Sequence, residues 1–547
     1  MSVLSFLDKE HTIAGPGFNR WLVPPAALAI HLCIGMAYGF SVFWLPLSKA
    51  LGISESLACP ADMGFMAQVF ATSCDWKISM LGWMYTLFFV FLGLAAWLFG
   101  GWLEHAGPRK AGLVSALCWC GGLVISALGV YTHQIWLMWL GSGVIGGIGL
   151  GLGYISPVST LIKWFPDRRG MATGMAIMGF GGGAVIGAPL ADKLMKHFAT
   201  ANSVGVWETF LALAAIYFVF MVAGAMTYRV PATGWKPEGW TPPAPNANTM
   251  ITTRHVHASR VWGIPQFWLI WGVLFLNVSA GIGILGMASP LLQEVFGGRL
   301  IGVDLGINDL DAAQKSQIAA IAAGFTGLLS LFNIVGRFGW ASCSDYIGRK
   351  ATYFIFLILG AILYVTIPSA GHAGQLALFV ACTCIILSMY GGGFATVPAY
   401  LADLFGTQMV GAIHGRLLTA WAVAGVVGPL LINYIREYQI ANGVPKAQAY
   451  DVTMYVLTGL VVIGIGLNAM IRPLDNRHFM TDDELAAEKK LAREKEVTAT
   501  SGVRAAGRSA VAAANKPAVT AFAWMAVGIP LMFGIWVTLQ KASAMFN

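Results

Sequence analysis

Long apolar runs separated by short polar loops follow one another along the whole chain. They fall near 21–48, 78–102, 112–131, 136–163, 171–195, 207–229, 263–296, 317–341, 351–370, 374–401, 411–435 and 451–471, with a thirteenth at 519–539. A bilayer core about 30 Å thick takes roughly 20 helical residues to cross, and every run is long enough. The pattern predicts an all-α polytopic membrane protein of twelve spanning helices plus an extra C-terminal one. The first run is too long for a removable signal peptide, and its flanks lack the small-residue cleavage pattern.

The polar interruptions repeat. GWLEHAGPRK (Gly101–Lys110) and ASCSDYIGRK (Ala341–Lys350) each follow an apolar run and lie about 240 residues apart. Each sets a carboxylate, Glu104 or Asp345, three residues before a glycine, Gly107 or Gly348, with basic residues close behind. The same offset relates WFPDRRGMATG from Trp164 to LFGTQMVGAIHG from Leu404, Pro157 to Pro398 and Pro189 to Pro429. The chain therefore reads as an internal duplication. Residues 1–230 form a first six-helix half, 231–262 a Pro- and Asn-rich linker, 263–472 a second six-helix half, 473–517 a charged tail and 518–540 the extra helix. Two homologous halves facing a central cavity are the usual architecture of secondary transporters, which bind substrate near the bilayer midplane between the repeats.

Composition supports the same picture: 57% of residues are hydrophobic, 11% are charged and the mean hydropathy is +0.70. With the N-terminus inside, thirteen Lys and Arg of the twelve-helix unit fall on the inner side and eight outside. The basic tail, from Arg472 to Lys516, falls inside as well. The positive-inside rule then makes the N-terminus cytoplasmic, and a basic inner rim against anionic lipid accounts for the net charge of +8 without a nucleic-acid partner. TDDELAAEKKLAREKE, from Thr481, reads as a short solvated helix with a capping signal. Six of the eight cysteines lie in predicted helices and serve packing. Cys59 and Cys74 share the first outer loop, where a bacterial periplasm permits a disulfide; two unpaired thiols are the alternative. No metal or redox constellation appears, so neither metal nor cofactor is expected.

Four stretches carry a family resemblance: KWFPDRRGMATG from Lys163, NIVGRFGWASCSDYIGR from Asn333, YGGGFATVPAYLADLFGT from Tyr390 and GAIHGRLLTAWAVAGVVGP from Gly411. From about Arg20 to Arg472 the chain resembles the major facilitator superfamily, and within it the oxalate/formate antiporter family, which also includes proton-coupled monocarboxylate carriers. The resemblance implies a multi-pass protein of a bacterial inner membrane that carries a small carboxylate anion by alternating access. A proton is the alternative co-substrate, and a monomer is expected. The tail and thirteenth helix lie outside the family pattern.

Helix depth and resemblance meet at Arg337. At 1.5 Å per residue, a position eight residues before Asp345 lies near the bilayer midplane, where a cation costs at least ~2.5 kcal/mol and must face a cavity or a partner. A guanidinium fork matches a carboxylate bidentately, and in the resembled family an arginine at this motif position binds the substrate carboxylate. A structural pairing with helix carbonyls is the competing reading. The same depth count makes Tyr154, Tyr390 and Trp421 substrate-contact candidates, with plain helix packing as the alternative. It makes His31 a proton-coupling candidate, or else a histidine bonded to a helix carbonyl. His414 and Arg416 lie shallower, near the inner gate. Glu104, Asp345, Arg109, Arg349 and Arg416 are the gating candidates.

The chain departs from the family's oxalate carrier at Trp421, where the resemblance implies a second cation. One deep positive charge favours monoanions such as formate, lactate or pyruvate over oxalate. Glycine runs at Gly141, Gly179 and Gly391–Gly393 suit helices that pack closely and slide. The deep residues supply no convergent nucleophile, base or metal ligands, so no enzyme is expected, and a channel has no use for duplicated gate motifs. A carboxylate sensor signalling through the tail is the alternative outside transport.

Overall fold

The computed structural model describes residues 5–543 apart from 54–56, 58, 61, 77, 233, 242–249, 308, 489 and 491–516. Most of the predicted charged tail and the middle of the linker therefore lie outside the described residues. The helices are α1 (Arg20–Phe40), α2 (Ile78–Ala106), α3 (Pro108–Tyr131), α4 (Ile135–Trp164), α5 (Arg169–Phe198), α6 (Val206–Thr227), α7 (Pro265–Phe296), α8 (Ala312–Ile347), α9 (Arg349–His372), α10 (Leu376–Phe405), α11 (Val410–Ala441), α12 (Asp451–Met470) and α13 (Pro517–Ser543). Twelve helices among the described residues are long and apolar enough to cross a membrane, and the 36-residue α8 packs in the same bundle. Large apolar side chains such as Leu98, Val219, Ile362 and Ile463 stand outward and exposed, a surface that fits lipid and not water.

Several helices outrun their apolar stretches. α2 continues to Ala106 and α8 to Ile347, which places Glu104 and Asp345 in their last turns, and the following glycine ends each helix. Gly107 has φ 88°, ψ 163° and Gly348 φ 85°, ψ 150°, a region closed to side-chain-bearing residues. This is the physical content of the repeated loop motif. α1 winds as 3-10 helix from Gly35 to Phe43 while Gly35 passes against the backbone of Phe180 on α5. α4 contains a π-helical segment, Trp139–Gly146, and α11 is interrupted after Leu417.

Helices of the first six meet helices of the second six along two seams, α5 against α8 and α2 against α11. Within the second six, α8 and α10 touch through their backbones: a Cβ on Gly336 would meet the Ser388 carbonyl, and one on Gly391 the Asn333 carbonyl. At the ends of α2 and α8 that carry the repeated loops, here termed the motif face, Thr252 and Val256 of the linker donate backbone hydrogen bonds to Asp403 and Phe405 at the end of α10. Met480 of the tail bonds back to His255, and Arg260 pairs with Glu484, which holds that carboxyl below the usual carboxylate range. Residues 482–488 are helical behind a reciprocal Thr481–Glu484 cap.

On the opposite, far face, Cys59 and Cys74 are joined as a disulfide with Cα atoms 4.9 Å apart. The buried Asp75 carboxylate beside it accepts the N–H groups of Leu51 (2.7 Å), Gly52 (3.1 Å) and Leu57 (2.7 Å). Bridge and carboxylate together give this far-face loop a fixed shape.

Because α8 and α10 meet backbone to backbone, Gly336→Leu has no space to enter. It is expected to cost at least ~1–3 kcal/mol, the range for overpacking a close-packed interior, read as a lower melting temperature and loss of the monodisperse peak in size-exclusion chromatography.

Candidate functional site

Arg337 is fully buried on α8. Its Nε donates to Asn333 Oδ1, one turn earlier, at 2.7 Å, and Nη1 donates across the seam to the Ile177 carbonyl of α5 at 3.2 Å. Nη2 has no hydrogen-bond partner. Aromatic rings surround the guanidinium: Phe394 at 5.6 Å, Phe180 at 5.7 Å and Tyr38 at 6.0 Å. Ring faces carry negative charge density and attract a cation, but they leave a full positive charge in place. Among the described residues no carboxylate pairs with Arg337, since its side-chain neighbour in the sequence-near turn is the neutral Asn333.

The substrate-contact and proton-coupling candidates Trp421, Tyr154, Tyr390 and His31 gather around this arginine. Trp421, fully buried, packs on Phe394 (4.5 Å between ring centroids), Tyr154 (5.3 Å) and Phe180 (5.5 Å), and its Nε1 has no partner. The Tyr154 hydroxyl is likewise buried and unpartnered. Tyr390 shares a hydroxyl contact of 3.3 Å with Tyr38. His31 is buried beside Tyr154, its Nδ1 against the Ala176 carbonyl and its Nε2 3.3 Å from the Tyr154 carbonyl. Two carbonyls can both be satisfied only by a protonated ring, because a neutral imidazole donates from one nitrogen.

Tyr38, Phe180, Phe394 and Asn333 belong to the same box but carry no signal in helices that are apolar all round, where aromatics have no distinguishing period. His414, placed by sequence near the inner gate, is fully buried, with both ring nitrogens unpartnered and its ring 5.9 Å from Tyr154. A buried polar side chain without a partner is costly, and a histidine only four residues into the apolar run that forms α11 is the signal that the sequence offers.

A cavity of ≈ 670 Å³ begins at Asn333 and Tyr38 and runs toward the far face between Thr86, Gly181, Ser330 and Pro429. On the motif side the path is shut. Glu104 Oε1 accepts the Gly411 N–H at the start of α11 (3.0 Å), while Oε2 pairs with Lys163 (2.6 Å). Asp345 accepts the Gly170 and Met171 N–H groups at the start of α5 (both 2.8 Å) and pairs with Arg349 (2.6 Å). Asp403 joins Arg349 (3.0 Å) to Arg169 (2.8 Å). Each motif carboxylate thus seats on a helix N-terminus belonging to the other six-helix set, where free N–H groups and the helix dipole favour an anion. Two gating candidates do not join this latch: Arg109 donates to the Phe6 and Tyr228 carbonyls, and Arg416 to the Ala412 carbonyl of its own helix.

A buried cation beside the inner end of a cavity that runs to one face, with the other face latched by contacts between two six-helix sets, fits a membrane transporter. The chain belongs to the Major Facilitator Superfamily, which matches residues 62–429. It is 24% identical over 416 residues to the oxalate:formate antiporter of Oxalobacter formigenes, covering 75% of this chain and 83% of that protein. It is also 24% identical over 450 residues to apicoplast pyruvate carrier 1 of Toxoplasma gondii, covering 71% and 78%. Crystal structures of the E. coli fucose:proton symporter FucP, one in the outward conformation, share the fold with a TM-score of 0.54 at 13% identity, over 82% of this chain and 99% of that one.

Asp345→Asn keeps the size of the latch but removes its charge from the α5 N-terminus and from Arg349. Loss of about 1–2 kcal/mol shifts the opening equilibrium of the motif face roughly fivefold to thirtyfold. A faster thiol reaction at Ala341→Cys, which lies under the latch, checks this; an unchanged rate rejects the latch.

Proposed function

We propose that this carrier exchanges small carboxylate anions, with a preference for monoanions such as formate, lactate or pyruvate, across a bacterial inner membrane whose cytoplasmic side is the motif face. The observation that carries the reading is the unpartnered Nη2 of Arg337 in a closed aromatic box. Nε and Nη1 of Arg337 are already fixed by Asn333 and the Ile177 carbonyl, so a carboxylate meets a pre-oriented donor at Nη2. Trp421 fills the place of a second cation, which leaves one positive charge to balance one negative charge. The similarity to an oxalate:formate antiporter and a pyruvate carrier fits this substrate class.

Charge also favours exchange over one-way release. An empty site carries an uncompensated cation, which is expensive to enclose in a low-dielectric core; a bound monoanion neutralises it. The loaded carrier therefore closes and reorients more readily than the empty one. Thr86, Ser330 and Asn333 give the anion a polar path to the box, and the Tyr154, Trp421 and His414 donors without partners are available to its oxygen atoms. The motif face is assigned to the cytoplasm by the excess of Lys and Arg on that side.

Proton coupling is the second reading, and His31 is what supports it. Its two carbonyl contacts are both satisfied only when the ring is charged, so losing a proton would free one link from α1 to α4 or α5.

The test is counterflow of labelled oxalate, formate, lactate and pyruvate in proteoliposomes, with and without a pH gradient. Arg337→Gln is expected to abolish uptake. Arg337→Lys, which keeps charge but loses the fork, should raise KM about tenfold to a hundredfold, the equivalent of one charged hydrogen bond. Normal kinetics in a folded Arg337→Gln chain would overturn the site.

Trp421→Lys is expected to raise oxalate affinity at least tenfold relative to formate. Strong oxalate exchange by the unaltered chain, not improved by this change, would mean that another group supplies the second charge. If His31 carries the proton, His31→Gln should leave exchange intact while removing the response to a pH gradient.

A further inference from the structure

α13 lies outside the twelve-helix unit, yet it is not loosely attached. Thr520, Trp524, Val527, Leu531, Gly534 and Thr538 recur at alternating steps of four and three, the spacing of a helix that packs along one seam. Val527, Leu531 and Thr538 on that stripe are buried, whereas Phe522, Met525, Ile529, Met532 and Trp536 on the other side are exposed. Near the motif face, Trp524 Nε1 donates to the Trp21 carbonyl (3.2 Å) and Asn19 donates to the Thr520 hydroxyl (3.3 Å). Toward the far face the stripe touches both sets of six. Leu531 rests on Gly182 and Gly534 on Val185 of α5, while Thr538 rests on Gly327 of α8.

The position of these contacts matters because α5 and α8 are not evenly spaced. At the motif end they meet through their backbones: a Cβ on Gly170 would collide with the Ala341 carbonyl, and one on Gly174 would lie 2.8 Å from the Arg337 carbonyl. At the far end the cavity separates them, lined by Gly181 and Ala184 of α5 and by Thr326 and Ser330 of α8. The residues next in sequence, Gly182, Val185 and Gly327, are the ones that hold α13. A single helix therefore spans the wide end of the seam from behind, seated on one wall from each half.

Rocking the halves to the opposite state must close this wide end and part the narrow one. The two far-end seats would then move relative to each other, and α13 could not keep both. A contact made in one state and lost in the other biases the equilibrium toward the first. We propose that α13 is a strut across the α5/α8 seam that stabilises the state open to the far face and so sets the resting position of the carrier.

The test needs no substrate, and so stands apart from the carboxylate assignment. Two reporters are placed singly in the full-length chain and their maleimide reaction rates read by peptide mass spectrometry in liposomes. Thr86→Cys lines the far-face cavity, and Ser159→Cys lies in the closed motif-face seam, where it abuts Gly411 of the other half. Gly534→Leu has its Cβ 2.9 Å from the Val185 carbonyl oxygen and must lift α13 from α5. It is expected to slow the Thr86→Cys reaction and speed the Ser159→Cys reaction, each at least threefold.

The second arm holds α13 in place. A Cβ on Gly327 lies 3.8 Å from the Thr538 Cβ, the mean separation in disulfides, so Gly327→Cys with Thr538→Cys should oxidise to a bridge. Bridging is expected to lower Ser159→Cys labelling at least threefold, restored by reduction, with Thr538→Cys alone as the control for the reductant. If Gly534→Leu fails to fold, the bridge decides alone. Changes below threefold in a bridged chain, changes of opposite sign, or failure of the bridge to form in a monodisperse protein would each overturn the strut.

Discussion

A guanidinium enclosed in the middle of a membrane bundle, with no countercharge among the described residues, is the constraint from which the site follows. A low-dielectric interior penalises a lone charge heavily, and the structure meets that penalty only in part. Asn333 and the Ile177 carbonyl satisfy two edges of Arg337, three aromatic faces supply diffuse negative density, and one nitrogen is left over. A carboxylate partner on a neighbouring helix would have completed the pairing and left no charge for the proposed anion to balance. The neutrality of Asn333 is thus as much a part of the site as the charge of Arg337.

The closed motif face rests on a different use of charge. Glu104 and Asp345 sit in equivalent loops, and each reaches across to the first N–H groups of a helix from the other set, α11 or α5. A helix N-terminus offers partial positive charge in a fixed direction and needs no long side chain to be ordered. These contacts are short and directional, which suits a surface that parts and re-forms in the proposed transport cycle. The glycine that ends each motif helix matters because its backbone conformation turns the chain directly into the next helix, fixing where the carboxylate stands.

Depth counting along the helices found Arg337, His31, Tyr154, Tyr390 and Trp421 because charged, polar and amphipathic residues are rare in apolar runs, and their distance from a helix end is readable. It did not find Tyr38, Phe180 and Phe394. In a helix buried on every side no stripe marks which aromatic faces the centre, and Tyr38 stands in a 3-10 stretch where α-helical counting slips. Counted from the motif glycines, Arg109 matches Lys350 and Pro108 matches Arg349: Arg349 joins the latch, whereas Arg109 and Lys350 each donate to carbonyls at the end of the last helix of their own set, Tyr228 for one and Ala469 and Ile471 for the other. The N-terminal segment lies against the first motif loop at Phe6, and linker residues Met250 and Ile251 lie beside the second. Duplication preserved that contact in both loops, while the position directly after the glycine differs, Pro108 in one and Arg349 in the other.

The sequence by itself determined the membrane class, the number and order of the helices, the duplication and the single deep cation, because these depend on hydrophobic run length, glycine backbone freedom and helix rise, all local along the chain. Tertiary structure decided which residues share a face: that α5 and α8 pinch at one end and part at the other, that Glu104 and Asp345 cross over to the opposite halves, and that α13 lies behind the wide end of the seam. Helices that are apolar all round can pack in many rotations and partnerships with similar burial. Only side-chain fit, close glycine contacts and the satisfaction of buried polar groups select one.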